Sequence, residues 1–299
     1  MLQPNRILRN IGFVKKFIKI IIPILIIALC VAAAIHFGVF NKNEEPTATQ
    51  TTVSTEKKSK YQSYIDKNSD FVGYIKIDGT AVDYPVVQCN DDVFYLNHNF
   101  EKQPEERGAI YMSSACDSSL KDFNTVIYGH NWLDTTMFSE LTKYDDIEFY
   151  KEHPVINFDT AYDDMQWKIF AVFITNADEN EDDGYIFNYI YPHLDGENFS
   201  GYISEVNKRT LYKTGVDVNS TDKILTLSTC SRKMDISGYR ADARIVVAAR
   251  LVRDGESTEV DTSKAAVNPS PKYPQRYCDN MGIQNIYAND EKWYPVEIE

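Results

Sequence analysis

Cysteine and histidine are scarce in this chain: five of each in 299 residues. A domain of this length folds on its hydrophobic core, so nothing in the cysteine count calls for a disulfide framework. No segment repeats, which excludes solenoid and propeller arrays. Basic residues run short after residue 60. Residues 1–60 hold nine Lys or Arg against three Asp or Glu, and the rest holds 22 against 41, a charge of −19 within a chain total of −13. A surface of that sign repels phosphate backbones and excludes nucleic acid as a partner. It favours amines and basic ligands at long range, weakly at physiological salt.

Charge of either sign is missing altogether from Ile20 to Phe40, a run of 21 residues. About 20 apolar residues cross ~30 Å of hydrocarbon as a helix. Pro23 falls in the first turn, where a missing N–H does least harm. The run is longer than a signal-peptide core, so it reads as a retained anchor, although Ala32–Ala34 keep a cleavage site open. Five bases precede it and Glu44 and Glu45 follow it, which predicts a cytoplasmic N-terminus and an extracellular remainder. The chain then divides into a basic segment (1–16), a membrane anchor (17–40), a Thr-rich polar stalk (41–60), a folded domain (61–253) and a C-terminal extension (254–299). The extension is Pro-rich in the middle and aromatic at its end, and is either loosely ordered or packed on the domain.

Within 61–253, short β-rich runs predominate: "FVGYIKI", "GAIYM", "NTVIY", "WKIFAVFIT", "KILTLSTC" and "RIVVAARLV". Asp78-Gly79 marks a turn. "YQSYIDKNSD" suggests a short helix, and residues 197–211 place Phe199, Ile203 and Val206 at helical spacing. Many strands and few helices predict a mainly β, closed or nearly closed barrel.

Cys30 lies in the apolar run, which leaves Cys89, Cys116, Cys230 and Cys278 outside it. Four cysteines permit three pairings, and the sequence selects none. Cys230 ends one apolar run and Arg244 opens the next. If the two runs form an antiparallel hairpin, these residues face each other with Cβ atoms ~4.5–5.5 Å apart. A guanidinium beside a thiol stabilises the thiolate and can hold an oxyanion formed by thiolate attack on a carbonyl. The 13 residues between them are more than a turn requires. An acyl-transferring cysteine also needs a proton donor for the leaving group. His36 lies in the apolar run, and His98, His153 and His193 sit in polar, turn-like settings. His130 alone ends an apolar strand, in "NTVIYGHN", which predicts a site at the barrel's mouth. Taken singly, each of the three residues also fits a structural role: a core thiol, a turn histidine, a rim charge.

Together, "TLSTC", "YGHN" and the arginine before "IVVAARLV" resemble the sortases, and "FVGYIKIDGTAVDYPVVQ", "FYLNHNF" and "RGAIYM" resemble class B. The resemblance covers roughly residues 65–253. It implies a closed barrel of about eight strands with a few helices, behind a single transmembrane helix. It implies catalysis by Cys230, His130 and Arg244, with Leu96, Ser228 and Thr229 lining a peptide groove, and neither a metal nor an organic cofactor. It implies cleavage of secreted proteins after Thr, within a C-terminal Asn-Pro-x-Thr-Asn or Pro-x-Thr-Gly-like signal. Transfer through a thioester to a peptidoglycan-precursor amine would follow, at the outer face of a Gram-positive membrane. A pilin-polymerising sortase and a membrane-anchored cysteine peptidase are the nearest alternatives, and a surface binding module is the non-enzymatic one. The Cys-to-Arg interval of 14 residues is long for the family, which makes Arg240 a competitor to Arg244. Arg244 is preferred because it abuts the strand.

Overall fold

The structure is a computed structural model that describes residues 59–296. The anchor expected over residues 17–40 lies outside the described residues, and among those described no helix is long and apolar enough to cross a membrane. Strands β1 (Phe71–Lys76), β2 (Asp83–Val87), β3 (Ile110–Met112), β4 (Asn124–Tyr128), β5 (Val155–Thr160), β6 (Gln166–Asn176), β8 (Ile224–Ser231) and β9 (Ala243–Leu251) close into a barrel. Their order is β1-β2-β3-β4-β8-β9-β6-β5, and β5 pairs back onto β1. Closure leaves no strand edge open. Most pairs are antiparallel, but β2 with β3 and β4 with β8 are parallel. Parallel neighbours need long crossovers, and those crossovers build the surroundings of the site.

The turn at Asp78-Gly79 is confirmed. Gly79 has φ +79°, a left-handed conformation open to glycine, and the chain returns from β1 to β2 there. The predicted helices are present as α1 (Gln62–Lys67) and α3 (Gly196–Arg209), with α2 (Ile147–Glu152) between them.

The barrel is filled by Ile75, Val86, Ile110, Phe158, Val172, Leu225, Leu227, Ile245 and Val247, all fully buried. A second apolar layer lies outside β6, β8 and β9. There Phe173, Ile224, Val246 and Ala248 pack under Phe187, Leu194, and Tyr202 and Val206 of α3. Burial on both faces explains why these three strands read as unbroken apolar runs rather than alternating ones. Each large apolar side chain so covered contributes about 1.5–3 kcal/mol.

The C-terminal extension is packed on the domain. Ala266–Val267 (β10) pair with Tyr212–Lys213 (β7). Residues 275–281 form α4 (Gln275–Met281), which ends at Gly282 with φ +63°. The chain then returns along α3, where Trp293 lies so closely against Gly201 that the indole fills the place a Cβ would take. Val296 and Asn198 exchange two hydrogen bonds, of 2.7 and 3.0 Å.

An ionic knot fastens this return. Glu205 of α3 is 3% exposed and accepts from Lys208, from Arg209 and, at 3.1 Å, from Lys272 of the extension. Burial pushes its pKa up, but the three cations outweigh burial and hold it at about 2, against an ordinary 4.5. A depressed carboxylate contributes stability that is complete above its unfolded pKa and is lost as pH falls through the folded one. We therefore expect up to ~3 kcal/mol from this group to be present above about pH 4.5 and lost towards pH 2. Thermal melts between pH 6 and 2.5 check this. Glu205→Gln should flatten the acid limb, and an unchanged limb would exclude the knot as its source.

Candidate active site

Alternation along β8 decides where Cys230 points. Leu225 and Leu227 fill the barrel, so Ile224, Ser228 and Cys230 face outwards. The site is therefore on the barrel's outer wall near one end, not inside the mouth as the strand-end positions predict. The interior at this level is already filled by apolar side chains.

Cross-strand register sets Cys230 and Arg244 in one row, beside the strand that leads to His130. Cys230 is the direct partner of Arg244 on β9, and Arg244 is in turn the partner of Thr175 on β6. On the other side, Tyr128 of β4 pairs in parallel with Ser228. Gly129 N–H then donates to the Ser228 carbonyl at 3.4 Å, and Asn131 Nδ2 to the Cys230 carbonyl at 2.8 Å. Carrying that register two residues past Tyr128 sets His130 beside Cys230 and on the same face. Neighbouring strands are ~4.8 Å apart, so the guanidinium flanks the thiol from β9, and β4 approaches from the other side. Gly129 is glycine because a Cβ would meet Ile110 at 2.5 Å and Phe138 at 2.7 Å. Arg240 lies exposed in the connection and has no such cross-strand position.

Each member is held by identifiable partners. Arg244 is half-buried, and its Nη1 takes the Asp242 carboxylate and donates to the Ala243 carbonyl at 3.1 Å. That leaves Nη2 and Nε of the fork for a substrate. Burial lowers its pKa, but charge on Cys230 and the Asp242 contact outweigh burial and hold it above the ordinary value. His130 Nε2 lies 2.8 Å from the Leu96 carbonyl. A carbonyl only accepts, so Nε2 carries the hydrogen and the neutral ring keeps its lone pair on Nδ1. His98, His153 and His193 are elsewhere: stacked on Phe94, bonded to the Asp78 carbonyl at 2.8 Å, and 3.5 Å from Asp122.

The three groove candidates divide. Leu96 is 38% exposed, and its backbone touches His130. Ser228 and Thr229 are buried. The Ser228 hydroxyl shares a 2.9 Å hydrogen bond with Tyr189, and Thr229 donates to the Gly129 carbonyl at 2.7 Å. Residues not singled out by sequence surround them. Tyr111, Tyr128 and Tyr189 line the outer wall, with phenols pushed up chiefly by burial. Asp242 had a visible signal, an acid two residues before Arg244 and thus on the same strand face; Tyr189 had none.

All four described cysteines are free thiols. Burial pushes Cys116 up to about 11 and raises Cys278 as well. Cys230 is half-exposed and faces a guanidinium. Among the described residues no His/Cys/Asp/Glu cluster suits a metal ion. A cavity of about 750 Å³ around Tyr61, Tyr74 and Asp159 contains none of the three residues.

A half-exposed thiol paired with an arginine, next to a strand that ends in a histidine on a closed barrel, fits a cysteine acyl-transfer enzyme. A Sortase domain model matches residues 75–252. Sortase B of Listeria monocytogenes serovar 1/2a is 32% identical over 206 residues, covering 69% of this chain and 79% of that protein. A Staphylococcus aureus sortase B–substrate complex superposes with a TM-score of 0.57 at 31% identity, over 64% of this chain and 84% of that one. A sortase B complexed with triglycine gives 0.56 at 31% identity, over 64% and 85%. The chain belongs to the sortase family, the cysteine transpeptidases, and its relatives are of the B class.

Proposed function

We propose that this protein cleaves secreted proteins after the threonine of a C-terminal Asn-Pro-x-Thr-Asn or Pro-x-Thr-Gly-like signal and joins them to a peptidoglycan-precursor amine. The observation that carries this reading is the register that pairs Cys230 directly with Arg244, on a strand whose other neighbour, β4, runs into His130. The Cys230 thiolate attacks the threonine carbonyl, and the oxyanion is held by the free donors of Arg244. His130, whose Nδ1 took the proton of the Cys230 thiol as the thiolate formed, gives it to the departing amine, and a thioester remains on Cys230. The acceptor amine attacks the thioester, loses its proton to His130, and displaces the thiolate. Leu96 lines the peptide groove beside His130, while Ser228 and Thr229 brace its floor from beneath. The substrate held by one S. aureus relative and the triglycine held by another sortase B structure support a peptide donor and an amine acceptor. The uncharged run from Ile20 to Phe40 and the bases before it support a single-pass anchor with the domain outside the cell. Tethering raises the effective concentration for two substrates that both arrive at the membrane.

Full-length protein in detergent, incubated with a panel of Pro-x-Thr peptides and weighed intact with and without oligoglycine, tests this. The expected result is an adduct on Cys230 that the amine discharges into a ligated peptide. Discharge by water alone indicates a peptidase, and discharge only by a pilin lysine indicates a polymerising sortase. No adduct from any peptide overturns the reading.

A further inference from the structure

The Sortase match ends at residue 252, so the extension over 254–299 lies beyond it. Its helix α4 sits where two connections meet beside the catalytic row. One is the β6–β7 connection, which supplies Tyr189 to the wall under Cys230. The other is the β8–β9 connection, which joins Cys230 to Arg244.

Glu181 of the first connection is 1% exposed, and its two oxygens are divided between the other two segments. One accepts from the Tyr239 hydroxyl of the β8–β9 connection at 2.5 Å. The other accepts from Arg276 Nε of α4 at 3.3 Å. The Arg276 guanidinium also lies 5.1 Å from the Tyr239 ring centre, closing the triangle. Around this node α4 grips both connections again. Gln275 N–H donates to Asp182 at 2.8 Å, and Asn280 Nδ2 donates to the Met234 carbonyl at 2.7 Å. Tyr273 and Tyr277, stacked at 3.9 Å, pack on Met234 and Ala241. From Tyr239 the chain runs three residues to Asp242, whose carbonyl is bonded by Ala177 N–H at 2.7 Å and whose carboxylate holds Arg244.

We propose that Arg276, with Glu181 and Tyr239, is a positioning residue for the sorting peptide: the C-terminal extension fixes the β8–β9 connection and so sets the groove wall next to the strand that carries Arg244. A buried carboxylate is tolerable only while its partners remain. Without Arg276, Glu181 gains solvation by opening the connection. The loosened wall then has to be ordered by the peptide, which weakens peptide binding. The row itself is held by strand pairing and survives. The effect falls on KM, not on kcat.

This rests on the sorting-peptide reading, so the test carries one measurement that needs no peptide. In full-length protein, Arg276→Ala should raise amide exchange across residues 232–242 at least tenfold over wild type, with exchange in β8 and β9 unchanged. With the peptide that acylates wild type, the same variant should raise KM about tenfold and leave kcat within twofold. Arg276→Lys should recover part of the loss, since it keeps charge without the fork. Tyr239→Phe combined with Arg276→Ala should be no worse than Arg276→Ala alone. Unchanged exchange over 232–242 overturns the node whether or not any peptide is a substrate. Raised exchange with an unchanged KM, or with a fall in kcat alone, overturns the positioning role. If Arg276→Ala does not fold, Tyr239→Phe, which removes from Glu181 the hydroxyl of a 39% exposed side chain, is put through the same two measurements and judged by the same outcomes.

Discussion

Cys230→Ala forms no acyl adduct with any peptide and no ligated product, while its melting temperature stays within a few degrees of wild type. Removing a nucleophile from a cysteine or serine acyl-transfer site lowers the rate by on the order of 10⁴-fold or more, because no other group can carry the acyl chain. The stability cost is small because the sulfur is half-exposed and lies outside the packed barrel. Labelling with a small alkylating reagent near neutral pH separates the thiols. Cys116 is fully inside the core with its pKa near 11, and Cys278 is buried too, so both stay unlabelled in the folded state. Cys89 is half-exposed, and its thiol donates to the Asp91 carbonyl at 3.2 Å, whereas Cys230 faces the Arg244 guanidinium. The fast labelling phase should therefore disappear in Cys230→Ala, and activity should fall in step with that phase in wild type. Ligated product from Cys230→Ala would remove Cys230 from the chemistry and return the protein to the binding-module reading.

What was legible in the sequence was whatever local spacing encodes. Cys230 ends one apolar run and Arg244 opens the next, and an antiparallel hairpin necessarily makes those two positions neighbours. His130 was legible as the end of a third run. Which face the row uses was not legible, because β8 and β9 are covered on both sides and their apolar pattern has no period of two to read. The partners of the row were hidden for a different reason. The Leu96 group that meets His130 is a backbone carbonyl, which every residue possesses. Tyr189 and Glu181 arrive through the long β6–β7 connection, whose path depends on tertiary contacts. Ser228 and Thr229, groove-lining residues by the resemblance, are buried, and their hydroxyls are bonded to Tyr189 and the Gly129 carbonyl, partners that no local pattern announces. The extension lacked periodicity altogether. Its docking relies on single complementary contacts, Trp293 against the bare Gly201 and Lys272 against Glu205, that only the folded surface reveals.

Arg244→Lys lowers single-turnover acylation by about 10²- to 10³-fold, the usual cost of one oxyanion donor, yet changes alkylation of Cys230 by no more than about threefold. The two readouts separate the two things a guanidinium does beside a thiol. Alkylation by a small neutral reagent reports thiolate supply, which needs only a positive charge nearby, and an ammonium provides that. Acylation also needs a donor aimed at the oxyanion. With Nη1 taken by Asp242 and the Ala243 carbonyl, it is the rest of the planar fork that reaches the substrate. Lysine has one nitrogen to divide between Asp242 and the oxyanion, and no rigid geometry with which to serve both. Arg244→Ala should then lose both, alkylation and acylation falling together. Because charge on Cys230 and the Asp242 contact hold the Arg244 pKa above its ordinary range against burial, the guanidinium stays charged at every working pH, and the lysine comparison is best made near neutrality, where its ammonium is charged too. Equal falls in acylation and alkylation for Arg244→Lys would reduce the arginine to a counter-charge for the thiolate and move the oxyanion contact to another donor on the wall.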